Sequence, residues 1–289
     1  MKILVIGNGF VAAPIVRKLE SEGHELLIYT RTYRQNIRTR QIVGDVLVFG
    51  DFEQVLKWKP QVIIQTAWVT TYGLYTNDQS NYKYAQFTSD LAKCVIGTEI
   101  EHLIILGTCA EYGPQTSAST AGITSLNPKS LYAEQKVVAF NSVRASLFQS
   151  GTRLTWARIF QPYGPDQDIN RLLPYLIDSL NKGKLINLRD TSTILDWITN
   201  RDIASAISWI MNNDTPVEVD LGTSFGYTNV ELLKQLESSF EDSYQWEQLA
   251  GQGSKGAQVS VAGKDSPLFT SGWVPKDSLS MGIEWVLNS

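Results

Sequence analysis

Tyr132 and Lys136 stand four residues apart in a stretch with helical patterning, which sets a phenol and an ammonium on one helix face. Chemistry on a carbinol or carbonyl needs a proton donor and acceptor beside the path of a hydride. A tyrosine does this near neutral pH when a neighbouring cation stabilises its phenolate, and Lys136 is spaced to supply that cation. The same lysine is suited to hold a nicotinamide ribose. Thr108 closes an apolar run 24 residues before Tyr132. A hydroxyl at the C-terminal edge of a parallel strand opens onto the ligand crevice, so Thr108 is expected to hydrogen-bond the substrate oxygen and orient it.

A second group of residues suits a cofactor. Gly7-Asn8-Gly9-Phe10-Val11-Ala12 follows the first apolar run and opens the first helical stretch, the context a dinucleotide fingerprint requires. Gly7 takes the tight turn, Gly9 lets the backbone approach a pyrophosphate, and Ala12 is small enough for helix to pack on strand. The helix N-terminus faces the anion. The second run ends Leu27-Ile28-Tyr29-Thr30-Arg31. It carries no carboxylate for the ribose 2′-hydroxyl of NAD; Arg31, with Arg34 nearby, suits the 2′-phosphate of NADP. NADP(H) is therefore expected in preference to NAD(H).

The elements that must position these groups follow from the alternation of short apolar runs with longer amphipathic stretches. The runs lie at residues 3–6, 25–29, 46–49, 62–64, 103–106 and 154–159, and helical patterns at 12–22, 78–95 and 131–148. Strands alternating with helices predict an α/β fold, a doubly wound parallel sheet of Rossmann type. Beyond about residue 165 the order loosens into helical segments at 171–182, 203–211 and 230–240, with short strand-like pieces between them. The expectation is a cofactor-binding domain over 1–165 and a smaller α/β substrate lobe over 166–289 packed on it, with the chain crossing between them. Residues 251–256, Gly-Gln-Gly-Ser-Lys-Gly, look like a loop.

The 289 residues carry a net charge of −4 and 43% hydrophobic residues, values of an ordinary globular protein. No basic stripe points to nucleic acid and no polybasic segment to a membrane surface. Two cysteines and two histidines define neither a disulfide framework nor a metal site, and a cytoplasmic setting is expected.

In its motifs the chain resembles the extended short-chain dehydrogenase/reductases, specifically the NAD(P)-dependent nucleotide-sugar epimerase/dehydratase family. The resemblance runs nearly end to end. Besides the glycine turn and the Thr108, Tyr132 and Lys136 triad, Gly50-Asp51-Phe52 resembles the segment after the third strand that touches adenine. Ile63-Ile64-Gln65-Thr66-Ala67 is similar to the fourth-strand end that lies against the cofactor, and Arg158-Ile159-Phe160-Gln161-Pro162-Tyr163-Gly164-Pro165 to the family's post-catalytic strand and turn. Leu195-Asp196-Trp197, Asp202-Ile203-Ala204, Leu221-Gly222-Thr223 and Ser271-Gly272-Trp273-Val274-Pro275 resemble the substrate lobe. The resemblance implies a hydride-transferring enzyme and a cofactor contacted by Gly7, Gly9, Phe10, Val11, Arg31, Asp51, Phe52, Ala67, Lys136 and Phe160. It implies a nucleoside-diphosphate sugar as substrate, with Trp68, Tyr75, Gln161, Arg171 and Trp197 as candidate contacts, and a homodimer through the helices at 78–95 and 131–148.

Departures from the family pattern narrow the chemistry. The dehydratases resembled here carry an acidic pair after the catalytic hydroxyl, where this chain has Cys109-Ala110, so 4,6-dehydration is not expected. The cysteine and histidine of members that epimerise C3 and C5 are replaced by Ala110 and Arg171, and Cys109 is expected to be a strand-end packing residue. A C4 epimerase and a 4-ketoreductase remain, since both need only the triad. The arginine that often precedes the lobe's aspartate is Leu195 here, so Arg171 or Arg189 is expected to take the diphosphate. Trp197 stacks on a nucleobase or fills the core between lobes. A reductase of non-sugar carbonyls and a non-catalytic NADP sensor on the same fold are the alternative readings.

Overall fold

The runs Ile3-Leu4-Val5-Ile6 and Val62-Ile63-Ile64 leave no polar face for water, so both faces of their strands must be covered. In the computed structural model, which describes residues 1–35, 37–48, 52–240, 245–248 and 258–289, this gives a helix-flanked parallel sheet. The elements run β1 (Lys2–Ile6), α1 (Ala12–Ser21), β2 (Glu25–Thr30), β3 (Arg40–Val43), α2 (Phe52–Leu56), β4 (Val62–Gln65), α3 (Ser80–Val95), β5 (His102–Thr108), α4 (Leu131–Leu147) and β6 (Arg153–Ile159). The chain continues through β7 (Gln161–Tyr163), α5 (Leu172–Asn181), β8 (Ile186–Leu188), β9 (Ile194–Thr199), α6 (Asn200–Asn212), β10 (Glu218–Leu221), β11 (Gly226–Tyr227), α7 (Asn229–Glu237), β12 (Trp246–Gln248), β13 (Val259–Ser260), α8 (Pro267–Thr270) and α9 (Leu279–Leu287).

The main sheet has seven parallel strands in the order β3-β2-β1-β4-β5-β6-β10. The order reverses between β1 and β4, and the crevice beyond their C-terminal ends is where such sheets bind ligands. Alternate residues serve opposite faces, as the two-residue period of a strand demands. Ile3 and Val5 join Ile15, Leu19, Ile203 and Ile207 of α1 and α6 on one side. Leu4 and Ile6 join Phe87, Leu91, Phe140 and Val143 of α3 and α4 on the other.

The third strand differs from expectation. Residues 46–48 form a turn, and the strand is Arg40–Val43. This edge strand is half exposed and half polar, so it carries no apolar run, while Val46 is buried for another reason: it plugs the core beneath the sheet. Phe49, Gly50, Asp51 and the 251–256 stretch lie outside the described residues.

After β6 the chain leaves the sheet and returns to it. Strand β9 pairs with β7, β11 and β13 in a small sheet, and β8 pairs with β12. Their core gathers Leu173, Leu176, Trp197, Leu232, Leu236 and Ile283. Strand β10, by contrast, extends the main sheet, and α6 packs against α1. Among the described residues, no helix is long and apolar enough to cross a membrane.

Candidate active site

At the end of β1, Gly7 turns with φ +106°, in the left-handed region. A Cβ there would meet Thr66 Oγ1 at 2.5 Å and the Ala67 backbone nitrogen at 3.0 Å, so the glycine lets the β1 and β4 ends close on each other. Gly9 differs: nothing lies within 4 Å of where its Cβ would be, and its backbone is open to solvent. Helix α1 begins after Val11 with no side-chain cap, which leaves its first N–H groups without a side-chain acceptor. The Asn8 side chain is buried with neither polar atom bonded. An open glycine, an uncapped helix N-terminus and an orphaned buried amide fit a dinucleotide's pyrophosphate. Arg31 is exposed one residue past β2.

The candidate catalytic side chains lie at the ends of β5 and α4, on the β4 side of the switch point. Ser130 caps α4, its hydroxyl accepting from the Ala133 N–H at 3.3 Å. The helix buries Ala133, Lys136, Ala139, Phe140 and Val143 along one stripe, so Lys136 faces inward and Tyr132 stands one turn earlier at the mouth. Tyr132 stands beside Thr108 at the end of β5, whose hydroxyl favours the phenolate form. Lys136 Nζ donates to the Leu106 carbonyl at 2.6 Å and lies 3.8 Å from the Trp68 ring centroid. Trp68 is fixed in turn, its indole N–H donating to Asn81 Oδ1 at 2.7 Å. The Asn81 amide donates to the Tyr75 carbonyl at 2.7 Å.

Tyr75 meets Tyr132 edge to face, centroids 5.0 Å apart. The Arg171 guanidinium, at the N-terminus of α5, lies over Tyr75 and Tyr72 and donates to the Thr70 carbonyl at 3.0 Å. Thr108, Tyr132, Lys136, Trp68, Tyr75 and Arg171 are thus brought together. Phe52, Phe160, Trp197 and Gln161 do not join them. Phe52 is fully buried between Tyr29 and Phe87, Phe160 lies against Tyr112 in a small core, and Trp197 packs on Tyr163 inside the lobe. Gln161 is half-buried on β7 beside β9.

The electrostatics depart from the simple tyrosine–lysine picture. Burial pushes the Lys136 ammonium down to about 7, with the charge of Glu111 pulling the other way. Burial raises the Tyr132 phenol above its usual range, only partly opposed by the Thr108 hydroxyl. Lys136 is too weakly charged and too far from the ring, 6.0 Å from its centroid, to reverse that. Without ligand, Tyr132 is a held proton. Burial also lifts the Cys109 thiol to about 11, which removes it as a base.

Two residues of this site carried no role in the sequence reading. Asn81 ties Trp68 to the Tyr75 loop. Glu111, fully buried, accepts from the Thr108 N–H at 2.8 Å, from Arg158 Nε at 2.7 Å and from the Trp156 indole. Its only signal in the sequence is a carboxylate three residues past a strand end, the spacing of a capping box with Thr108.

A glycine turn at the switch point of a parallel sheet, with a phenol, a hydroxyl and a lysine near the adjoining strand end, is the arrangement of a Rossmann-type dinucleotide-binding fold. The sequence matches the NAD dependent epimerase/dehydratase family over residues 3–222, and the chain belongs to that enzyme family. No curated protein matches the sequence. Among solved structures, it is similar to the UDP-glucose 4-epimerase of Thermus thermophilus in complex with NAD, with 20% identity and a TM-score of 0.86 over 100% of this chain and 98% of that one. The Thermotoga maritima UDP-glucose 4-epimerase with UDP-glucose is similar at 18% identity and TM-score 0.85, again over 100% and 98%. The dTDP-glucose 4,6-dehydratase of Bacillus anthracis in complex with NAD follows at 21% identity and TM-score 0.84, over 100% and 97%. At these identities the likeness establishes the fold.

Proposed function

We propose that this enzyme carries out hydride chemistry at C4 of a nucleoside-diphosphate sugar, as a 4-ketoreductase using NADP(H). The observation that carries the reading is the gathering of Tyr132, Lys136 and Thr108 where α4 meets the end of β5, with Lys136 one turn behind Tyr132 and bonded to the Leu106 carbonyl. A bound nicotinamide supplies the hydride. The protein's own task is then to hand a proton to the substrate oxygen. Tyr132, kept protonated by its dry surroundings, is in the state that this step requires. Thr108 hydrogen-bonds and orients the same oxygen. Lys136, balanced near neutrality, stabilises the phenolate left behind. Gly7, Gly9, Phe10, Val11 and Ala67 line the cofactor cradle, and Arg31 supports a 2′-phosphate.

Cys109 and Ala110 offer no acid for water loss, which argues against dehydration. Arg171 supports an anionic substrate, since it points into the same mouth from a helix N-terminus. The second reading is a 4-epimerase, in which Tyr132 first removes a hydroxyl proton. It uses the same residues, and the UDP-glucose 4-epimerases named above share the fold. The parts of residues 166–289 outside α6 and β10 serve as the substrate lobe, and two copies pair through α3 and α4; a monomer in light scattering would reject that pairing.

The test is to denature the purified protein and identify any nicotinamide nucleotide released. An empty protein that binds NADPH and oxidises it with 4-keto sugar nucleotides supports the reductase. Near-stoichiometric NAD supports the epimerase and overturns the role given to Arg31. In either case Tyr132→Phe is expected to cut turnover by about 10³-fold while cofactor affinity is retained.

A further inference from the structure

Glu111 is the one fully buried carboxylate bonded directly to a candidate catalytic residue among the described residues. It arises from the three-residue turn after β5, where the Thr108 hydroxyl accepts from the Ala110 N–H and the Glu111 carboxylate accepts from the Thr108 N–H. The carboxylate lies under the turn, so its other oxygen meets the strand next door. There Arg158 Nε donates at 2.7 Å and the Trp156 indole N–H bridges both oxygens at 3.1 Å.

Space for this arrangement is made by Gly107. A Cβ on that residue would stand 2.3 Å from Trp156 Nε1 and 2.7 Å from Glu111 Oε1. The backbone there is of a kind any residue adopts, so it is room for the carboxylate that requires the glycine. Trp156 carries the link onward. One side of its indole is bonded to Glu111, and Lys136 Nζ lies 6.0 Å from its ring centroid. Lys136 has one polar partner, the Leu106 carbonyl, and so depends on a fixed charge nearby.

We propose that Glu111 is a positioning residue: it fixes the Thr108 turn through the Thr108 N–H and supplies a buried negative charge that favours the ammonium form of Lys136. This assignment rests on the reading of Thr108, Tyr132 and Lys136 as the reacting group. Glu111 acts with Arg158 as its counter-ion, and Arg158 is held in turn by Glu218 at 2.8 Å. The titratable groups facing the pair are Tyr132 on α4, Cys109 and Tyr112 on the turn, and Glu218 and Asp220 on β10, Asp220 being bonded to Tyr112, Ser266 and the Ala121 N–H. Of these, Tyr132 and Cys109 are held neutral by burial, and Glu218 is spent on Arg158. Glu111 is the anion that acts on Lys136.

The experiment follows Lys136 itself and needs no substrate. Protein labelled with 13C at lysine Cε is titrated by NMR, the Lys136 signal being assigned by its loss in Lys136→Met. In Glu111→Gln the midpoint is expected to fall by at least about half a pH unit, a threefold change in proton affinity. An unchanged midpoint overturns the proposal. Should Glu111→Gln fail to fold because Arg158 is left unpaired, the Lys136 midpoint is compared between Arg158→Met and Glu111→Gln with Arg158→Met, where the guanidinium is absent from both, and the same fall is expected from the first to the second. A lowered midpoint in a protein inert toward every sugar nucleotide keeps the assignment of Glu111 and rejects the proposed reaction instead.

Discussion

Two regions of this enzyme bury charge in opposite ways. Where the lobe joins the main sheet, buried carboxylates are surrounded by donors. Asp220 accepts from the Tyr112 hydroxyl at 2.6 Å, the Ser266 hydroxyl at 2.9 Å and the Ala121 N–H at 2.7 Å. Asp196 accepts from the Thr223 and Ser224 N–H groups, the Thr223 hydroxyl and the Ala262 N–H. Asp202 takes the N–H groups of Lys276 and Asp277. Each such carboxylate staples segments far apart in sequence. Across the β5–α4 wall, Lys136 is equally buried but has one carbonyl and an indole face. A buried ion with a full set of partners is structure; one left short is poised to change state. That difference separates the joint from the site without reference to any relative.

Lys136→Met tests the contrast where its effect is largest. Turnover is expected to fall by about 10³-fold, equivalent to about 4 kcal/mol in the barrier, because the phenolate left on Tyr132 loses its cation. Stability in urea at pH 7 is expected to hold or rise, since an under-partnered buried ammonium is replaced by an apolar chain of similar length. A large loss of stability would mean that Lys136 is a staple as well, and the contrast would fail. Asp220→Ala is the converse. It leaves the Tyr112, Ser266 and Ala121 donors unpaired at the joint, with an expected cost of about 3 kcal/mol read from the denaturation midpoint. The folded fraction is expected to keep its cofactor affinity.

Most of the frame was legible because its signals are local. The runs at residues 3–6, 62–64 and 103–106 are apolar on both faces, and only a covered parallel sheet accommodates that. Tyr132 and Lys136 share a face by spacing alone, and Gly7 announces a turn. What stayed hidden depends on burial and on partners distant in the chain. Glu111 meets Arg158 47 residues later, and no spacing rule links a turn glutamate to a strand arginine. Phe160 was expected to touch the cofactor, and Trp197 either to stack on a base or to fill a core; the structure encloses both in cores, since an aromatic's exposure is set by what packs over it. The edge strand Arg40–Val43 went unseen because half its surface faces water and its sequence shows no apolar run. Lys136 itself was visible, but not the weakness of its charge, which comes from desolvation by Trp68 and the sheet.

The smallest expected effect is also the most direct readout of that weakness. The Lys136 ammonium loses its proton near 7 in the fold and near its ordinary value of 10.5 once unfolded. Between these values the unfolded chain binds more protons than the native one, so this group makes stability rise with pH. Its contribution is fully present above about 10.5 and is lost as pH falls through about 7. For cofactor-stripped protein, the advantage of Lys136→Met over the unmodified chain is therefore expected to shrink by about 1 kcal/mol between pH 7 and pH 8, read from paired urea melts. Asp196, which burial raises to about 6, has the opposite sign: its contribution is present below about 3.8 and lost as pH rises through about 6. It is nearly constant across the pH 7 to 8 window and occurs in both proteins, so it cancels in the difference. A pH-independent gap between the two melts would show Lys136 charged throughout. It would then be a paired ion like those of the joint, and the division between the two regions would dissolve.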